Sequence, residues 1–156
     1  MYESTDIIAT SYDVVCGIDF DSWLRERARF RAVEGPDFLG IVELTYLEAI
    51  LAGRTYDEIP QSYETIPPPP DQPPESEDDL PGAFAMPLRR ELRDLLAVVP
   101  SDKLADIGRA WAAIEEFGRL GEREFTEWFL PFFEQFVGLA RTARGRDLDL
   151  FVVSWD

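Results

Sequence analysis

The sequence predicts an α+β fold, mainly helical, with a small sheet formed by N- and C-terminal strands. Two runs rich in β-branched and apolar residues lie near the two ends, at 7–18 and 148–155. Between them, apolar residues recur at three- and four-residue steps, the period of a helix with one buried side.

The first run places Ile8, Tyr12, Val14, Cys16 and Ile18 on one parity, as a half-buried strand requires. Asp19 and Asp21 then offer caps for a helix through Trp23, Leu24, Ala28 and Val33, which Gly35 and Pro36 stop. Arg25, Arg27, Arg29 and Arg31 alternate within it. A helix divides such a set over two sides, and a strand gathers it on one. Phe38, Ile41, Leu44, Leu47 and Leu51 predict a helix over 38–52, ended by Gly53.

Residues 57–81 break every periodicity. They hold Pro60, Pro67 to Pro70, Pro73, Pro74 and Pro81, and no Lys or Arg lies between 57 and 80. Proline withholds backbone donors and like charges repel, so an exposed, partly extended loop is expected inside a single domain spanning 1–156.

The second half reads as helical. Pro87 suits a first helical position, followed by the stripe Leu88, Leu92, Leu95 and Val99. Ser101 offers a cap to the stripe Leu104, Ile107, Trp111, Ile114 and Phe117, closed by Gly118. Phe125, Trp128, Phe129, Phe132, Phe133 and Phe136 predict a helix buried on most sides. Pro131 either kinks it or starts a new one, and Gly145 ends it. In the closing strand, Leu148, Leu150 and Val152 share one parity and Phe151, Val153 and Trp155 the other. That strand is therefore expected to be covered on both faces or to lie at the sheet's centre.

Charge and composition exclude several function classes. The net charge of −16 repels nucleic-acid phosphates and anionic lipids, so neither nucleic acid nor membrane is an expected partner. No signal peptide or membrane-length apolar run is read, and the cytoplasm is the expected location. Histidine is absent, which removes triad nucleophiles, imidazole bases and most zinc sites. Cys16 is the single cysteine and is expected to be a small buried hydrophobe on the core face. No glycine-rich phosphate loop occurs, and Lys103 is the one lysine. No cofactor, no metal and no enzymatic activity are expected.

Two sets of residues remain as site candidates. Tyr56 and Tyr63 flank the acids Asp71, Glu75, Glu77, Asp78 and Asp79, and tyrosines beside carboxylates suit a protein-binding surface. This set predicts a non-enzymatic interaction module, such as an immunity or antitoxin-type protein, covering a basic surface on another protein. The alternative is a small-molecule or metal-ion binding domain, with carboxylate hydrolysis as its chemistry, using Asp19, Asp21, Glu115 and Glu116. Adjacent helical acids such as Glu115 and Glu116 point about 100° apart, and aspartates before a helix more often cap it. A homo-oligomer through the aromatic C-terminal helix is a third reading.

The tail Glu134-Gln135-Phe136-Val137-Gly138-Leu139-Ala140-Arg141-Thr142-Ala143-Arg144-Gly145, followed by the strand Leu148 to Trp155, resembles the ending of the YfbM-like family, a small bacterial domain of unknown function. The resemblance covers the C-terminal half only. It implies an early strand, central helices and a closing strand, and it carries no catalytic residue across. The arginine- and alanine-rich composition is similar to that of proteins from high-GC bacteria.

Overall fold

The computed structural model describes residues 2–37, 39–68, 76 and 80–156. Among the described residues, four antiparallel strands make one sheet: β1 (Ser4–Thr10), β2 (Val33–Glu34), β3 (Ala83–Pro87) and β4 (Asp149–Trp155), in the order β2-β1-β4-β3. The first and last strands are the central pair, in register from Ser4↔Trp155 to Thr10↔Asp149. The fold is thus α+β, with a small sheet built on N- and C-terminal strands.

Both faces of the sheet are covered, which explains why β4 is apolar on both parities. Ile7, Leu150 and Val152 face one layer, made by α3 (Ile41–Ala52), α4 (Arg90–Ala97), α5 (Leu104–Ala112) and α7 (Leu130–Gly145). Ile8, Phe151 and Val153 face a thinner layer made by α1 (Tyr12–Cys16) and α2 (Trp23–Glu26), which contribute Val15 and Trp23.

The predicted strand over 7–18 is shorter than its alternation implied. At Ser11 the side chain accepts from the Val14 N–H and starts α1, so Tyr12, Val14 and Cys16 leave the sheet. Cys16 is consequently exposed, not buried on the core face. The predicted helix over 19–33 breaks into the 3-10 turn Phe20–Ser22, α2, the 3-10 turn Arg27–Arg29 and β2. Asp19 makes no side-chain cap, and Asp21 instead accepts from the Gly82 N–H at 2.9 Å.

The helix expected over 38–52 is present as α3, and it ends at Gly53, whose φ of +66° is the left-handed conformation that glycine adopts without steric cost. Phe38, assigned to its stripe, lies outside the described residues. Pro87 closes a strand instead of opening a helix. The Leu88 N–H donates to the Leu150 carbonyl, so the neighbouring Pro87 turns its missing donor away from β4, where it breaks no ladder bond. Outside β3, Ile66 exchanges two backbone bonds of 2.7 Å with Ala85.

The aromatic helix begins with α6 (Glu122–Glu124), widens to a π turn at Phe125–Phe129 and continues as α7 with Pro131 in its first turn. A proline there lacks the donor that an α-helical bond to residue 127 needs, and the wider turn before it accommodates that loss. Phe125, Phe129, Phe132, Phe133 and Phe136 are buried, and only Trp128 of the six aromatics is exposed, at 40%. Trp111 of α5 packs against four of these rings, at centroid distances from 5.5 Å for Phe129 to 6.2 Å for Phe136. Among the described residues, no helix is long and apolar enough to cross a membrane.

Candidate functional site

Tyr56 sits just past α3, on the 3-10 turn Tyr56–Glu58. The turn is fixed by a capping box in which the Thr55 N–H and hydroxyl both donate to Glu58 Oε1, at 3.3 and 3.0 Å. This holds the Tyr56 ring against Tyr46 of α3, with centroids 4.4 Å apart. The Tyr56 hydroxyl donates to Gln61 Oε1 at 3.2 Å.

Carboxylates lie near enough to this tyrosine pair to be felt by it. Partial burial, the neighbouring Tyr46 and the negative field of Glu116, Glu43 and Asp57 together push the Tyr56 hydroxyl pKa up. Glu116 arrives from the 3-10 turn Glu115–Phe117 that follows α5. Asp57 and Glu116 are exposed. Neither has an arginine or lysine partner among the described residues, whereas Asp6, Glu48, Asp149 and Glu122 each have one. Glu43 is only 1% exposed and accepts from the Gly40 N–H at 3.0 Å. Burial raises its pKa despite that bond, and Glu116 raises it further.

The structure therefore brings one member of each candidate set together, Tyr56 and Glu116. The others are dispersed. Asp21 is across the molecule beside Gly82 and Trp155, in an open depression of about 450 Å³. Asp19 is exposed and lies 3.7 Å from Arg25. Glu115 is an exposed neighbour of Glu116. Asp71, Glu75, Glu77, Asp78 and Asp79 lie outside the described residues. Among the described residues, no group of three or more acids or thiols is placed to hold a metal ion.

Tyr63 occupies a different setting. It packs against the main core with its hydroxyl buried and without a hydrogen-bond partner among the described residues. Burial, with Glu48 nearby, pushes its pKa up to about 12. Glu48 is itself buried and accepts from Arg89 Nε at 2.9 Å, yet burial still raises its pKa. Glu43 and Glu48 were missed in the sequence because they interrupt an apolar run. Their spacing was the available signal: Glu48 lies four residues after Leu44 and three before Leu51, on the buried stripe itself.

Compared with protein-family models, with curated proteins and with solved structures, the chain shows no match.

Proposed function

We propose that this protein is a non-enzymatic interaction module whose tyrosine pair, with the exposed acids near it, meets a basic surface on another protein. The observation that carries the reading is the combination at Tyr56: a ring held in place by a neighbouring ring, beside Asp57 and Glu116, which lack cationic partners among the described residues. A preorganised aromatic contributes contact area at small entropic cost, and unpaired acids around it select a cationic partner and speed encounter. An immunity or antitoxin-type role, masking a basic functional surface, fits this chemistry. The dispersal of Asp19 and Asp21 from Glu115 and Glu116 gives a carboxylate-based hydrolase no shared site to work from.

An arginine-rich fluorescent peptide serves as the probe, read by anisotropy at two salt concentrations. Neutralising the patch with D57N and E116Q is expected to weaken binding by about tenfold and to flatten its salt dependence. Y56A is expected to weaken it by a similar factor at either salt. The pair D102N and E124Q removes the same charge from exposed positions elsewhere and sets the background of the overall field. Equal losses for the two pairs would reduce the patch to part of that general field and overturn the reading.

A further inference from the structure

A groove of about 900 Å³ runs between α7 and the β2 side of the sheet, opposite in charge to the rest of the molecule. Its walls carry Arg29, Arg31 and Arg146 against one acid, Glu134. Arg29 is engaged by Glu26 at 2.5 Å. Arg31 and Arg146 are exposed, and neither guanidinium has a hydrogen-bond or ion-pair partner among the described residues. In a chain of net charge −16, two arginines left unpaired on one groove are a local reversal of sign.

The same groove exposes a sheet edge. Pairing of β1 with β2 stops at Ile7↔Val33, and no backbone bond joins Ala9 to Arg31 across the gap. Because the Leu150 carbonyl accepts from Leu88, the backbone of Leu150 faces β3. Its partner in β1, Ala9, therefore turns its N–H and C=O the other way, toward the groove. The register that β2 abandons puts Arg31 opposite Ala9, and Arg146 follows α7 a few residues before Asp149, the partner of Thr10. The free edge and both unpaired arginines thus share one end. Along the opposite wall, Gly138 leaves α7 open: a Cβ there would meet nothing within 4 Å.

We propose that this groove binds an extended, carboxylate-bearing peptide segment of another protein. The segment adds to the β1 edge through Ala9 and sets acidic side chains against Arg31 and Arg146. Edge addition supplies main-chain bonds, and the arginines supply selectivity through forked contacts to carboxylates. From Pro131 to Arg146 the α7 wall is about 22 Å long, room for roughly six extended residues. Arg146 also complements the carbonyl end of α7, but Arg31 lies on no helix and has no such role. The overall negative field is screened beyond about 8 Å at physiological salt, so groups in contact decide binding.

The test uses the full chain and three probes: a fluorescein-labelled octapeptide of alternating valine and glutamate, its valine–lysine counterpart, and succinate as a free dicarboxylate competitor. The glutamate peptide is expected to bind at least tenfold more tightly than the lysine peptide. Combining R31S with R146S is expected to remove most of that preference, and backbone N-methylation of the peptide should weaken it with the protein unchanged. Gly138→Leu fills the groove where space is open, so it is expected to abolish binding while the thermal melt stays cooperative. Failure of the glutamate peptide to bind, or binding that both R31S/R146S and Gly138→Leu leave within twofold, overturns the proposal. Full competition by millimolar succinate also overturns it, because the site would then take a free anion and not a strand. None of these outcomes involves Tyr56, Asp57 or Glu116, so this site and the tyrosine patch stand or fall separately.

Discussion

Glu43 is a carboxylate held where its charge is disfavoured. Burial lifts its pKa, the nearby Glu116 lifts it further, and the Gly40 N–H does not restore it. In the unfolded chain the group ionises near ~4.3. Below that pH it is protonated in both states and carries no penalty. As pH rises through the raised folded value, the unfolded state releases its proton first, and folding stability falls. A glutamine at this position keeps the acceptor for Gly40 and removes the charge. Glu43→Gln is therefore expected to melt at a higher temperature than the parent at pH 7, with the gap closing as the pH approaches 4. A gap that is constant with pH, or of opposite sign, would show that the carboxylate is not under strain. At this scale the sequence was only partly legible. Residue types made Tyr56 a binding candidate, whereas Glu48 was missed although its spacing sets it among buried leucines. Cys16 was misplaced because parity was counted through Ser11, where a hydroxyl hydrogen bond redirects the chain.

The helical elements meet at Trp111. Its ring is fully buried among phenylalanines of the π turn and α7, and its indole N–H donates to the Glu43 carbonyl of α3 at 2.8 Å. The bond ties α5 to the helix that ends beside Tyr46 and Tyr56. Trp111→Phe removes the donor and part of the ring together. A loss of about 2–3 kcal/mol is expected. That corresponds to a fall of about 5–10 °C in Tm for a domain of this size, measured by circular dichroism. A shift below about 2 °C would show that Trp111 is not the junction described. The four helical stripes were legible because each repeats a 3.6-residue period over about two turns, although the third helix ends at Ala112, short of Ile114 and Phe117. Strands β2 and β3 were not. Val33–Glu34 is two residues long, and Ala83–Pro87 alternates small and large side chains behind a proline-rich stretch that masks the pattern.

At the scale of the whole molecule, the acids outnumber the bases, 31 to 15, and many arginines are already committed to exposed pairs such as Arg109–Glu122 and Arg123–Glu127. Self-repulsion among the remaining carboxylates opposes compaction more than those exposed pairs favour it. Raising sodium chloride from about 0.01 M to about 0.15 M shortens the screening length from ~30 Å to ~8 Å. The melting temperature is expected to rise by a few degrees over that range. A fall would mean that the pairs outweigh the excess.

The pairing of β1 with β4 also bears on how the chain is made. Ile7 and Ile8 are buried on the two faces of a sheet whose central pairing needs a strand from far along the sequence. On the ribosome, every segment up to Gly145 emerges before that neighbour exists, so the early strand waits with its apolar side chains wet. Closure is a late, long-range event, and the loop entropy it costs is met only when Asp149–Trp155 is delivered. A chain released before Asp149 lacks the strand that pairs with its first one.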